Sequence, residues 1–147
     1  MIDGVQLTPL KRIATPNGDV YHAMKKSDAG YCGFGEAYFS AIKPGAVKAW
    51  KKHRRMTLNL VVPVGAIRFV VHDDRGGSPT CGRTWSVVLS PENYARLTIP
   101  PGLWFGFQCV AAETSLLLNL ADIEHSPEEN EQLPASSFGC CWEEAAG

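Results

Sequence analysis

Leu58-Asn59-Leu60-Val61-Val62-Pro63-Val64-Gly65-Ala66-Ile67-Arg68-Phe69-Val70-Val71 is the stretch on which the fold turns. β-Branched and other apolar residues crowd its two halves, and Pro63-Val64-Gly65 interrupts them with the residues a tight turn uses. It reads as two strands joined by a short turn. Comparable runs lie on either side, giving candidate strands at 36–42, 47–53, 57–63, 66–73, 84–89, 94–99, 106–111 and 115–120. Ten prolines and fourteen glycines fall mostly outside these runs, leaving almost no room for a helix of three turns. So many short strands at regular spacing predict an all-β sandwich or barrel and suit a jelly roll.

The chain of 147 residues is expected to form one domain over 1–147, loosely held from about Pro134, with Phe138 and Trp142 available to dock on the barrel. Lys plus Arg number 14 against 15 for Asp plus Glu, so no net charge draws the protein to nucleic acid or an anionic membrane. The opening MIDGVQLTPLKRI lacks an apolar signal core, and no apolar run approaches the roughly 18 residues a spanning helix needs. The expected setting is therefore soluble and cytoplasmic. Five cysteines without a C-x-x-C pair, two of them adjacent (Cys140 and Cys141), read as free thiols. The acidic stretch 127–131 predicts a short helix capped by Ser126.

Three stretches carry a more specific signal: Asp73-Asp74-Arg75-Gly76-Gly77-Ser78-Pro79-Thr80-Cys81-Gly82-Arg83-Thr84-Trp85, Leu89-Ser90-Pro91-Glu92-Asn93 and Ile99-Pro100-Pro101-Gly102-Leu103-Trp104-Phe105-Gly106-Phe107. Their order resembles the dTDP-4-dehydrorhamnose 3,5-epimerase family, which runs D-x-R-x-x-S-P-T-x-G-x-W, L-S-x-x-N and I-P-x-G-x-x-H-G-F. Gly45 to His53 is similar to the strand that carries the family's catalytic histidine, and His125-Ser126-Pro127-Glu128 resembles the segment after its last core strand. The resemblance spans roughly residues 2 to 131. It implies a cupin-type double-stranded β-helix (a jelly-roll barrel), a homodimer, a site inside the barrel without metal or cofactor, and a dTDP-4-keto-6-deoxy sugar as substrate.

Enolisation beside a ketone needs a base on one face of the sugar, an acid on the other, and stabilisation of the enolate between them. Where close relatives place H-x-H, this chain reads Lys51-Lys52-His53. Strand alternation sends Lys51 and His53 the same way. His53, titrating near neutrality, is the candidate base, and Lys51 a candidate for the ketone oxygen, for phosphate or for a second base. The resemblance puts the family's acid, a tyrosine on the last core strand, near Asn119, which donates no acid proton, and Phe105 stands where relatives have histidine. Tyr38 is the candidate phenol from another strand. Lys48, in the place of the family's arginine, heads a basic run suited to a diphosphate, and Arg68, Asn59, Asn119 and Trp50 complete the expected substrate contacts. An exposed strand histidine, solvated lysines and packing aromatics are the structural alternatives.

A metal-dependent cupin would need three or four converging N or O donors; Lys51, His53 and Phe105 supply one, so no metal is expected. Two readings stay open: an isomerase or epimerase of a nucleotide-linked keto sugar, or a relative that binds such a sugar after losing the acid–base pair. Fold alone does not choose between them.

Overall fold

The computed structural model describes residues 1–140 and 142. Its strands are β1 (Gln6–Pro9), β2 (Arg12–Ile13), β3 (Val20–Tyr21), β4 (Glu36–Ile42), β5 (Val47–His53), β6 (Leu58–Val64), β7 (Ile67–His72), β8 (Thr84–Leu89), β9 (Ala95–Ile99), β10 (Trp104–Cys109), β11 (Ser115–Ala121) and β12 (Asn130–Gln132). Two five-stranded sheets, ordered β1-β9-β6-β11-β4 and β12-β5-β10-β7-β8, face one another, and every pairing is antiparallel. β2 and β3 form a separate ribbon. The expected all-β jelly roll is the observed fold.

Alternation explains the core. On β6 Leu58, Leu60 and Val62 point inward, on β7 Ile67, Phe69 and Val71, and on β9 Ala95, Leu97 and Ile99, all in one buried cluster. The hairpin turn falls at Gly65, whose φ of 86° lies in the left-handed region, and a Cβ there would collide with Ser115. Among the described residues no helix is long and apolar enough to cross a membrane, and Cys32, Cys81 and Cys109 are free thiols; Cys141 lies outside the described residues.

One expectation needs correction. Residues 127–131 are not one capped helix: a single 3-10 turn, Pro127–Glu129, leads into β12, and Ser126 makes no side-chain cap. β1 and the β2–β3 ribbon, absent from the sequence reading, occupy the N-terminal segment. Phe138 and Trp142 pack on the outer face of the second sheet, where Phe138 contacts the rings of Trp50, His72 and Trp104. Trp142 lies 5.5 Å from Trp50, and both indoles donate to the Ala135 carbonyl.

Candidate functional site

A cavity of about 130 Å³ opens between the two sheets beside β4 and β5. From the first sheet β4 contributes Glu36, Tyr38 and Ser40, β6 contributes Leu58, and β11 contributes Asn119. From the second, β5 contributes Lys48, Lys51 and His53, and β10 contributes Phe105 and Phe107. Met56, His125 and Asn130 complete the wall.

Strict alternation would send Lys48 and Lys51 to opposite faces. The ladder between β10 and β5 resolves this: Phe105 pairs with Lys51 and Phe107 with Lys48, so β5 spends three steps against two on β10. The bulge turns both Ala49 and Trp50 away from the cavity and brings Lys48, Lys51 and His53 onto it. Trp50 therefore sits fully buried on the outer face with Val70 and Trp104, under Phe138 and Trp142, and not against a ligand.

Two further expected contacts also lie elsewhere. Asn59 is buried on the outer face of the first sheet, where it donates to the Gly30 carbonyl and accepts from Thr98 Oγ1. Arg68 lies between inward-facing Ile67 and Phe69, so its guanidinium is on the outer face, 5.7 Å from the Trp142 ring. The charged residues of β5 divide in the same way. Lys52, on the outer face, lies 3.6 Å from both Asp74 and Glu131, whereas no ion pair within 4.0 Å engages Lys48 or Lys51 among the described residues.

His53 is the most enclosed titratable group of the cavity, 9% exposed, with its ring stacked on Phe105 at 5.7 Å between centroids. Its Nδ1 faces Glu129 Oε1 at 3.7 Å, too long for a hydrogen bond, and has no hydrogen-bond partner. That orientation leaves Nε2 for the cavity. Burial pushes the imidazole below the ordinary histidine range; Glu129 and Asp122 pull it back up, and Lys51 and His125 push it further down. The imidazole is thus neutral at pH 7, the form that accepts a proton.

Glu129 is a site residue that the sequence reading missed. Burial alone would raise its pKa, but the backbone N–H groups of Arg55 and Met56, donating to Oε1 at 2.9 and 2.7 Å, together with His53 and the Arg55 side chain, hold the carboxyl below its usual range. A buried carboxylate thus stands behind the imidazole, on the side away from the cavity. A surface-looking acid within Pro127-Glu128-Glu129 gave no sign of this, because its basic partners stand more than seventy residues away in the chain.

Tyr38 and Asn119 are ladder partners on β4 and β11, and Asn119 Nδ2 donates to Ser40 Oγ at 3.2 Å. Burial, and then Glu36, push the Tyr38 phenol above its ordinary range, so it is protonated at neutral pH. Glu36 is itself fixed by the His125 backbone N–H at 3.2 Å. Among the described residues no three His, Cys, Asp or Glu side chains converge in a way that could hold a metal ion.

Comparison with known proteins adds the following. The family profile described as dTDP-4-dehydrorhamnose 3,5-epimerase matches residues 30–144. A dTDP sugar isomerase from Desulfovibrio desulfuricans G20 superposes with a TM-score of 0.89 at 41% identity, covering 92% of this chain and 87% of that one. The 3,5-epimerase RmlC from Legionella pneumophila, solved in complex with dTDP-4-keto-L-rhamnose, shares the fold with a TM-score of 0.87 at 22% identity, covering 99% and 82%. The probable low-salt glycan biosynthesis epimerase Agl13 of Haloferax volcanii is 37% identical over 98 residues, which is 63% of each chain and so less than two thirds of that relative's length.

Proposed function

Because this chain belongs to the dTDP-4-dehydrorhamnose 3,5-epimerase family, an epimerase and isomerase family, we propose that it isomerises or epimerises a dTDP-linked 4-keto-6-deoxy sugar by enolisation. The observation that carries this reading is the enclosed, neutral His53 with the buried Glu129 carboxylate behind it. Glu129 favours the imidazolium that forms when His53 takes a proton from the carbon beside the ketone, and burial favours its return to the neutral state. Tyr38, from the facing sheet, supplies the proton on the other face of the sugar. Lys48 meets the diphosphate and Lys51, beside His53, the ketone. The apolar wall of Phe105, Phe107, Met56 and Leu58 suits the deoxygenated part of the ring.

The test is deuterium uptake from solvent into dTDP-4-keto-6-deoxyglucose, followed by NMR. Wild type is expected to incorporate deuterium at C3 or C5, and His53→Ala to lose that incorporation by roughly 100-fold or more. Ligand that binds wild type without taking up deuterium or changing configuration would leave only the binding reading.

The outer face of the first sheet supports a second copy of the chain as partner. Phe34 and Phe39 are 68% and 62% exposed, and the outward side chains of β11 are Leu116, Leu118 and Leu120. Phe39→Glu should convert a dimer to a monomer in light scattering; an unchanged mass would place the interface elsewhere.

A further inference from the structure

We propose that Lys51 is a covalent catalyst, its Nζ condensing with the sugar's C4 ketone to form an imine during enolisation. This rests on the 4-keto-sugar reading above. Lys51 and His53 stand two residues apart on the inner face of β5, roughly 6.6 Å between Cα atoms. They share a wall, since Phe105 is Lys51's ladder partner and also the ring on which His53 stacks. A carbon bound to Nζ therefore has its neighbours on the side where the imidazole waits. The ammonium of the adjacent Lys52 is held by two carboxylates and lies 4.9 Å from the Trp104 ring, on the other face. Lys51 has no such partner among the described residues, so nothing need be broken for its amine to reach a ligand.

The wall explains why covalency is useful here. Phe105 offers an aromatic face and no donor to a developing oxyanion, and Asn119 spends its amide on Ser40 and on backbone carbonyls. An imine removes the need for an oxyanion donor. Lys51 first passes one ammonium proton to His53. The free amine adds to C4, forming a C–N bond while the carbonyl electrons move to oxygen, and that oxygen takes one proton from the nitrogen and the one held by His53 and leaves as water, giving a protonated imine. His53 takes the proton from the neighbouring carbon, and the C–H electron pair flows to nitrogen, giving a neutral enamine. Tyr38 returns a proton from the other face. Water then adds to C4, both of its protons pass to nitrogen as the C–N bond breaks, and ketone and lysine ammonium are restored. The proton on His53 returns to the Tyr38 phenolate through water, with no oxidant or reductant consumed.

Sodium cyanoborohydride, which reduces protonated imines, tests this with dTDP-4-keto-6-deoxyglucose as the probe. Wild type should gain the mass of the reduced sugar nucleotide on the peptide that contains Lys51, only when the sugar is present. Lys51→Arg keeps the charge but cannot form an imine, and should lose both the adduct and, by roughly 100-fold or more, deuterium uptake. Wild type that takes up deuterium but traps no adduct, or traps it on another lysine, overturns the covalent role and leaves the enolisation reading standing. Uptake by Lys51→Arg within a few fold of wild type does the same. Trapping at Lys51 without deuterium uptake supports the imine and sinks the enolisation reading instead. The wild-type arm decides even if the variant fails to fold.

Discussion

Among the described residues two carboxylates are buried, Asp73 and Glu129, and they are treated in opposite ways. Asp73, just after β7, is fully satisfied: Oδ1 accepts from Arg75 N and Nε at 3.0 and 2.9 Å, and Oδ2 from Arg75 Nη2, Ser78 Oγ and Thr80 Oγ1 at 3.0, 2.6 and 2.7 Å. Its partners reach on to the N-terminal segment, through Arg75 to the Asp3 carbonyl and through Thr80 to the Asp3 N–H. Glu129 has two backbone donors on Oε1, none on Oε2, and a histidine at 3.7 Å. A saturated carboxylate has no capacity left for chemistry and serves as a staple. An under-satisfied one beside a neutral imidazole can respond when that imidazole gains a proton.

The largest effect should come from breaking the staple. Asp73→Asn replaces acceptor lone pairs with amide hydrogens facing a guanidinium and two hydroxyls, and removes the charge that Arg75 neutralises. The expected loss of unfolding free energy is about 3–5 kcal/mol, read by urea denaturation. A loss below 1 kcal/mol would mean that the motif only shapes the loop. Acid should act here too. The Arg75 side chain, ahead of Ser78 and Thr80, holds the Asp73 carboxyl far below its usual range despite burial. Its contribution is therefore full above the unfolded value near 4 and is lost as pH falls below that.

Glu129→Gln should cost less, about 1–2 kcal/mol, because an amide oxygen still accepts from the Arg55 and Met56 N–H groups. What it should change is His53. Without the carboxylate that pulls the imidazole up, its pKa falls further below 6.5, and the acidic limb of the deuterium-uptake profile moves to lower pH. An unmoved limb would show that Glu129 does not act on the base. Stability has its own sign at this site. A histidine whose folded pKa is depressed contributes fully above about 6.5, and that contribution is lost as pH falls from there toward the folded value.

The contrast was half legible in the sequence. The strand pattern was readable because β6, β7 and β9 keep strict alternation around β-branched and aromatic residues, and Asp73 announced itself within D-x-R-x-x-S-P-T. The same alternation also marks Asn59 and Arg68 as outward, since Leu58, Leu60, Ile67 and Phe69 are inward; expecting them at the ligand set that signal aside. The β5 bulge was not readable, because a bulge is a mismatch between two strands and appears only when β10 is laid beside β5. Nor was Glu129, whose burial depends on β12 pairing with β5 and placing an acidic turn over His53. Local composition there speaks for solvent, and a tertiary contact overrides it.

The smallest effect sharpens the comparison most. Arg55 Nε lies 3.6 Å from Glu129 Oε2, and Arg75 Nε lies 2.9 Å from Asp73 Oδ1, so both carboxylates have an arginine two residues into a turn or a strand's end. The Arg55 side chain is 78% exposed, however, and what holds Glu129 is the Arg55 backbone N–H, which any residue provides. Arg55→Ala should therefore leave unfolding free energy within about 0.5 kcal/mol of wild type, at low and high salt alike. If it costs as much as Glu129→Gln, the side chain and not the backbone fixes the carboxylate. Glu129 would then be a second arginine-held staple, and its claim to respond to the charge on His53 would weaken.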